Sequence, residues 1–212
     1  RLVSHGARGI SIYRADRRAL KLAWDSGSDF EREQRAAFPW AHNGIQDEEF
    51  APVNGVLYNV SDEDVQAAIE EKNNNETGDG CADGGDGNPG ACPLGQTVDE
   101  RSPKDGAAPE AVVAGAACGR LLAVAATEKQ SSALVYDITV VSRPRLLFVR
   151  HLSPASEVKN PGVAYGNRSL GEIDPESLVF LEAQHSPSGK PGVLFAGALS
   201  GTVSFWEFSC QD

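Results

Sequence analysis

The residues of this 212-residue sequence that are best suited to chemistry are carboxylates, whose oxygens could bind calcium. Asp79, Asp83 and Asp86 are interspersed with glycines, which permit the tight turns that wrap oxygen ligands around a calcium ion. Their spacing fits no EF-hand, because no glutamate occupies the position equivalent to its twelfth residue. The segment is therefore interpreted as a weak calcium-binding loop or, alternatively, as a solvated acidic loop.

Two glutamates that follow prolines are a second set of candidate calcium ligands. Glu110 and Glu176 each begin a segment rich in β-forming residues. If these segments are the innermost strands of a propeller, both carboxylates would face its central channel and could coordinate a cation. The alternative is that Pro-Glu only begins a strand, with the carboxylate capping nearby backbone amides.

No catalytic group is apparent from the sequence. None of the histidines lies within metal-ligand spacing of another, and no Ser/His/Asp grouping is visible. A cysteine-based zinc site is disfavoured, because the sequence has no close Cys pair and no Cys/His cluster. We expect the four histidines to be surface or turn residues: His5, His42, His151 and His185.

Arginines and tryptophans are weaker candidates for binding. Arg143, Arg145 and Arg150 lie at or near a predicted strand, where they are interpreted as exposed edge positions or, alternatively, as partners for acidic groups on another protein. The tryptophans are predicted to pack inside the fold rather than to serve as sugar platforms: Trp24, Trp40 and Trp206.

The net charge of the chain is -11, from 30 acidic and 19 basic residues, which argues against nucleic-acid binding. Residues 47–110 hold 16 of the acidic and three of the basic residues, so the excess charge is local. No apolar run approaches the roughly 18 residues that a membrane helix needs. The sequence contains no methionine and begins Arg-Leu-Val-Ser without a cleavable signal, so we expect a processed product or a fragment.

The acidic excess belongs to a predicted insertion, residues 47–106. Its glycine-rich and aspartate-rich stretch cannot form helix or strand unaided and is predicted to be a long loop. One short helix is predicted near residues 62–72, because Ser61 can cap it and the acids that follow favour a helix N-terminus.

The cysteines and glycosylation sequons point outside the cell. We pair Cys81 with Cys92 inside the flexible loop, which leaves Cys118 and Cys210 for each other. Free thiols and chance sequons are the alternative, but the combination favours a secreted or cell-surface glycoprotein. The predicted glycosylation sites are Asn59, Asn75 and Asn167.

An internal repeat predicts the fold class. Residues 109–137 and 175–207 each begin with Pro-Glu, contain a Gly-Arg or Gly-Lys turn and end on an aromatic residue followed by an acid. A fourth apolar run follows the first unit at residues 145–150, and residues 9–25 contain the last two strands of a similar unit. Repeats of four antiparallel strands are typical of β-propeller blades.

The fold is therefore predicted to be all-β, a partial β-propeller of two to three blades with a long acidic loop insertion. Residues 1–46 would end one blade, residues 107–154 would form a complete blade, and residues 155–212 would form a last blade of three strands. Nine strands are too few for a closed propeller, so we expect the remaining blades to come from another chain or a missing N-terminal portion. The alternative is a nine-stranded β-sandwich.

The same motifs resemble the C-terminal part of the choice-of-anchor I family, which includes the mesenchyme-specific cell-surface glycoproteins. The resemblance covers most of the chain except residues 50–100, where family members have a much shorter connection. The matching segments include residues 8–13, 25–31, 101–106, 135–139, 186–191 and 200–203.

The resemblance implies a propeller on secreted or anchored proteins, some of them labelled phosphatase-like. We therefore expect a structural or protein-interaction module of an extracellular assembly that binds other extracellular proteins, with calcium as its candidate cofactor. The alternative is part of a calcium-dependent, phosphatase-like hydrolase.

Overall fold

The computed structural model describes residues 8–44, 98–99, 101–103, 105–153, 169, 171–198 and 200–210. Within these ranges the chain forms nine β-strands, one α-helix and two short 3₁₀ helices. The strands are β1 (Ser11–Ala15), β2 (Leu20–Asp25), β3 (Pro109–Ala117), β4 (Arg120–Thr127), β5 (Ser132–Asp137), β6 (Arg145–His151), β7 (Pro175–Leu181), β8 (Gly192–Gly197) and β9 (Thr202–Glu207). The helices are α1 (Asp29–Ala37) and the 3₁₀ helices Pro39–Ala41 and Ala183–His185.

The nine strands form three antiparallel sheets in which each strand pairs with its neighbour in sequence. The first sheet contains β1 and β2, the second contains β3 to β6, and the third contains β7 to β9. The predicted number and order of strands are therefore confirmed, and the described part of the chain is mostly β.

The second sheet lies between two hydrophobic cores, because the side chains of β4 alternate between its faces. Leu122, Val124 and Ala126 pack in a core shared with Val193 and Phe195 of the third sheet. On the other face, Ala123 and Ala125 pack in a core that includes residues of β1, β2 and α1. The three sheets are thus stacked in chain order.

Helix α1 was not predicted from the sequence. Acidic residues in its first turn and Arg35 in its last turn complement the helix dipole, and Pro39 follows the helix end. Phe30 and Gln34, one helical turn apart, form its buried side. This pattern is a usable helix signal, but it extends over only nine residues.

The two repeats share an irregularity at Pro-Glu. The pairing register shifts between Pro109 and Ala111 of β3 and between Pro175 and Ser177 of β7. Glu110 and Glu176 are therefore the residues at equivalent irregular positions, and both side chains are exposed. The sequence similarity of the repeats thus reflects a shared backbone geometry.

Several large apolar side chains on the sheets are exposed. On the second sheet, Val112 of β3 is exposed, whereas Ala125, its pairing partner on β4, is buried. Val203 on β9 is 69% exposed, although its counterpart Ala133 on β5 is buried. Exposed large apolar side chains therefore occur on all three sheets.

The predicted insertion lies almost entirely outside the described residues, including the helix predicted at residues 62–72. Among the helices that the structure describes, none is long and apolar enough to cross a membrane.

Candidate functional site: an open strand edge beside an apolar groove

The third sheet ends at strand β9, whereas the equivalent strand of the second sheet, β5, is paired with a further strand. Strand β9 pairs with β8 from Gly192↔Glu207 to Gly197↔Thr202, as β5 pairs with β4 from Leu122↔Asp137 to Thr127↔Ser132. Strand β5 has β6 on its other side, whereas no described strand pairs with the far edge of β9. As far as the described strands are concerned, the backbone groups on that edge can pair with a further antiparallel strand.

A groove of about 450 Å³ runs between the second and third sheets beside this edge. Val135 and Phe148 line it on one side, and Phe195 and Trp206 line it on the other. The Trp206 ring lies edge-on to Phe195, with 5.9 Å between ring centroids. The groove is therefore lined mainly by apolar and aromatic side chains, with Arg150, Glu207 and Ser209 as its polar members.

A buried carboxyl group lies behind the groove. Glu172 is only 7% exposed, and its burial raises the pKa of the carboxyl group. Hydrogen bonding with Ser204 and Trp206 of β9 acts in the opposite direction on this pKa. The tryptophan indole also donates from Nε1 to Ser204 Oγ at 2.8 Å, which orients the ring in the groove.

The disulfide fixes the end of the open strand. Cys118 occupies the β3–β4 turn and Cys210 follows β9, with a Cα–Cα distance of 5.1 Å. Both Cys118 and Gly119 have positive φ, which suits a two-residue hairpin turn. The predicted Cys118–Cys210 bridge is confirmed, and it ties the second sheet to the third next to the groove.

Helix α1 positions the β4–β5 connection through a buried amide. Gln34 Nε2 donates to Ser132 Oγ at 2.6 Å and to Thr127 Oγ1 at 3.1 Å, and all three residues are fully buried. The two hydroxyl oxygens are themselves 2.7 Å apart. This network links α1 to the end of β4 and to the start of β5.

A second polar cluster joins α1 to the loops around it. Asn43 Nδ2 donates to Glu31 Oε2 at 2.8 Å and to Ser102 Oγ at 2.9 Å, while its Oδ1 accepts from Gln130 at 2.7 Å. Arg8 donates to the other oxygen of Glu31 at 3.1 Å. Neither this cluster nor the Gln34 network was predicted, because their members are far apart in sequence.

Two histidines are more enclosed than the sequence suggested. His42 does lie in a turn, but it is 7% exposed, with Nε2 3.5 Å from Asp99 and 3.8 Å from Glu31. His151 ends β6 and packs on Trp40 with 4.6 Å between ring centroids. Burial lowers the pKa of His151 to about 3, so its ring is neutral at physiological pH.

The predicted metal ligands within the described residues are Glu110 and Glu176. Glu110 and Glu176 sit at the bulged starts of β3 and β7, which are neighbouring strands. Among the residues that the structure describes, no group of three or more His, Cys, Asp or Glu could hold a metal ion. Calcium binding by either glutamate stays a prediction.

The remaining predicted sites lie outside the described residues. They are the aspartates Asp79, Asp83 and Asp86, the cysteines Cys81 and Cys92, and the asparagines Asn59, Asn75 and Asn167.

Comparisons with known proteins identify no relative. No protein-family model matches the chain, no curated protein matches it, and no solved structure matches it.

Proposed function

We propose that the chain is one portion of an extracellular β-propeller and acts as a structural or protein-interaction module. The single observation that carries the proposal is the edge of β9 beside the groove, with which no strand of the described ranges pairs. The equivalent edge of β5 is covered by β6 in the neighbouring sheet. A strand that completes the third sheet would cover the groove and form hydrogen bonds with the backbone groups on the outer side of β9.

The second sheet indicates which residue types the binding strand would carry. Across the β5–β6 pair, Arg145 lies opposite Asp137 and Phe148 lies opposite Val135. By equivalence, the partner strand would place a basic residue opposite Glu207 and a large apolar residue opposite Phe205. We assign this strand to the remaining part of the propeller, since four-stranded blades are the repeating unit.

A peptide with the sequence of residues 145–151 tests this proposal in solution. We expect it to slow amide hydrogen exchange along β9 when it is added to the intact chain. The matched control is the same peptide with proline in place of phenylalanine at its centre, since proline cannot donate to a strand ladder. Equal effects of the two peptides on β9, or no effect from either, would contradict the proposal.

The extracellular assignment rests on the predicted sequons and on the disulfide. Disulfides persist in oxidising compartments, and the Cys118–Cys210 bridge joins two sheets of the fold. Membership of the choice-of-anchor I family remains part of the proposal, supported by the motifs rather than by the comparisons. Mass spectrometry of the protein from its natural material would test glycan occupancy at Asn59, Asn75 and Asn167.

Calcium binding and hydrolysis are separate proposals with their own experiments. Calorimetric titration of the chain with calcium would detect calcium binding by the acidic loop. The absence of heat at millimolar calcium would exclude such binding. Hydrolysis of a chromogenic phosphate ester by the complete propeller, abolished by Glu110→Gln or Glu176→Gln, would favour the phosphatase-like alternative.

A further inference from the structure

A second concave surface, of about 770 Å³, lies away from the β9 edge. It shares no lining residue with the groove between the second and third sheets. Trp24 of β2, Arg120 at the start of β4, and Arg143 and Arg145 at the start of β6 line this arginine cleft. Its volume is within the range of about 300–1,000 Å³ typical of small-ligand sites. The cleft therefore has the size and the polar groups of a binding site.

Two of the three guanidinium groups in the cleft are held by one carboxylate. Arg145 Nη2 lies 3.4 Å from Asp137 Oδ2, and Arg120 Nε lies 3.7 Å from the same oxygen. Each guanidinium carries five N–H donors, so this shared contact leaves most of them for a ligand. The side chain of Arg145 is 70% exposed and that of Arg120 is 47% exposed, whereas the side chain of Asp137 is 11% exposed.

The backbone around the carboxylate is well ordered by hydrogen bonds. Thr139 N donates to Asp137 Oδ1 at 3.0 Å, and Leu121 N donates to Thr139 Oγ1 at 3.0 Å. The hydroxyl and the amide of Thr139, more than the arginines, lower the pKa of Asp137. The anchor for the two arginines is therefore ionised at neutral pH and fixed in position.

The charge of the cleft contrasts with that of the molecule. Its lining contains three arginines and one aspartate, a net charge of +2 (3 − 1), whereas the whole chain carries -11. A compact ligand with a few anionic groups would match the three guanidinium groups of this lining.

One wall of the cleft is aromatic and apolar. Trp24 is half-buried and lies edge-on to Tyr136, with 5.4 Å between ring centroids, and Pro144 and Val140 also line the cleft. A flat apolar wall beside arginines suits a ring-shaped ligand that carries anionic substituents, because arginine binds oxyanions through paired N–H groups. An extended acidic peptide has no ring to place against the tryptophan.

We propose that the arginine cleft binds a sulfated oligosaccharide, with sugar rings against Trp24 and sulfate groups on Arg120, Arg143 and Arg145. The site shares only the extracellular location with the function proposed above, and it does not involve the β9 edge. Binding is measured on the isolated intact chain, so its success or failure is independent of whether β9 binds a strand.

Calorimetric titration of the intact chain with a defined sulfated tetrasaccharide tests this assignment. We expect saturable binding that the Arg143→Ala/Arg145→Ala double variant weakens at least tenfold. Arg150→Ala is the matched control, since Arg150 is exposed on the same strand but does not line the cleft, and we expect less than a twofold effect. Trp24→Phe should also weaken binding, and circular dichroism will verify that each variant is folded.

Four outcomes would overturn the assignment. The first is no heat at millimolar tetrasaccharide. The second is equal affinity for the same tetrasaccharide without sulfate groups, which would show that the arginines do not contribute. The third is equally tight binding of a glutamate-rich peptide of the same charge, and the fourth is an equal loss of affinity from Arg150→Ala and from the cleft variants. Either of these last two would indicate that general surface charge causes the binding.

Discussion

Asp137 and Glu207 end equivalent strands of two repeated sheets, but only Asp137 has an arginine of a following strand beside it. Arg145 of β6 lies 3.4 Å from Asp137, whereas Glu207 pairs with Lys190 of the β7–β8 connection at 3.3 Å. Hydrogen bonds from Ser188 and Lys190 lower the pKa of Glu207, which remains an exposed anion. The acidic end of β9 thus has a basic partner on the preceding connection, whereas the acidic end of β5 has one on the following strand.

Removing the disulfide should destabilise the chain. The Cys118→Ser/Cys210→Ser variant loses a cross-link between residues 92 positions apart, for which the chain-entropy model gives roughly 3–5 kcal/mol of unfolding free energy. Chemical denaturation of variant and parent, compared at equal pH, measures this loss. A difference below about 1 kcal/mol would show that the bridge does not constrain the two sheets.

Gly115 should tolerate no side chain, because the ring of Phe180 occupies the space that a Cβ would fill. This contact joins β3 to β7 across the interface between the second and third sheets. Gly115→Ala is expected to lower the unfolding free energy by about 1–3 kcal/mol through overpacking.

A double-mutant cycle provides the control for Gly115. In a Phe180→Leu background, the alanine should cost clearly less than in the parent chain, because leucine leaves room for the methyl group. Equal costs in the two backgrounds would mean that the ring of Phe180 does not press on this glycine.

Acidification should destabilise the fold through His151. Its pKa is about 3 in the folded chain, below the ordinary value of 6.5, since burial disfavours the charged ring. The unfolded chain therefore binds more protons as the pH falls below 6.5, and stability is lost progressively between pH 6.5 and 3. This residue should account for about 2 kcal/mol of loss between pH 7 and pH 5.

The pH dependence of stability in two histidine variants checks this expectation. His151→Gln should flatten the decline in unfolding free energy between pH 7 and pH 5, and His185→Gln, which alters an exposed histidine, should leave it unchanged. If the parent and the His151 variant decline in parallel, the buried ring is not the cause.

The nine strands were predictable because their signals are local. Pro-Glu at Glu110 and Glu176, the glycine turn at Gly119 and the aromatic-acid ends at Asp137 and Glu207 recur at matching spacings. The hairpin connections keep neighbours in sequence adjacent in space, so strand order followed from the repeat. Even the Cys118–Cys210 pairing could be derived, since both residues fall at the same end of adjacent sheets.

The polar networks and the groove could not be predicted in this way. Gln34 meets Thr127 and Ser132 across 93 and 98 positions of sequence, and no periodicity encodes such an encounter. Trp206 was correctly expected to pack, but the groove that it shares with Phe148 depends on how two sheets are stacked. The arginine cleft likewise appears only when Trp24 is placed beside the start of β6.

The molar mass of the protein under non-denaturing conditions tests the central claim most directly. Sedimentation or light scattering of material isolated without denaturant should give a mass above the 22.5 kDa of this chain, because the β9 edge and the exposed apolar faces bind the rest of a propeller. A stable, monodisperse species of 22.5 kDa would contradict the account.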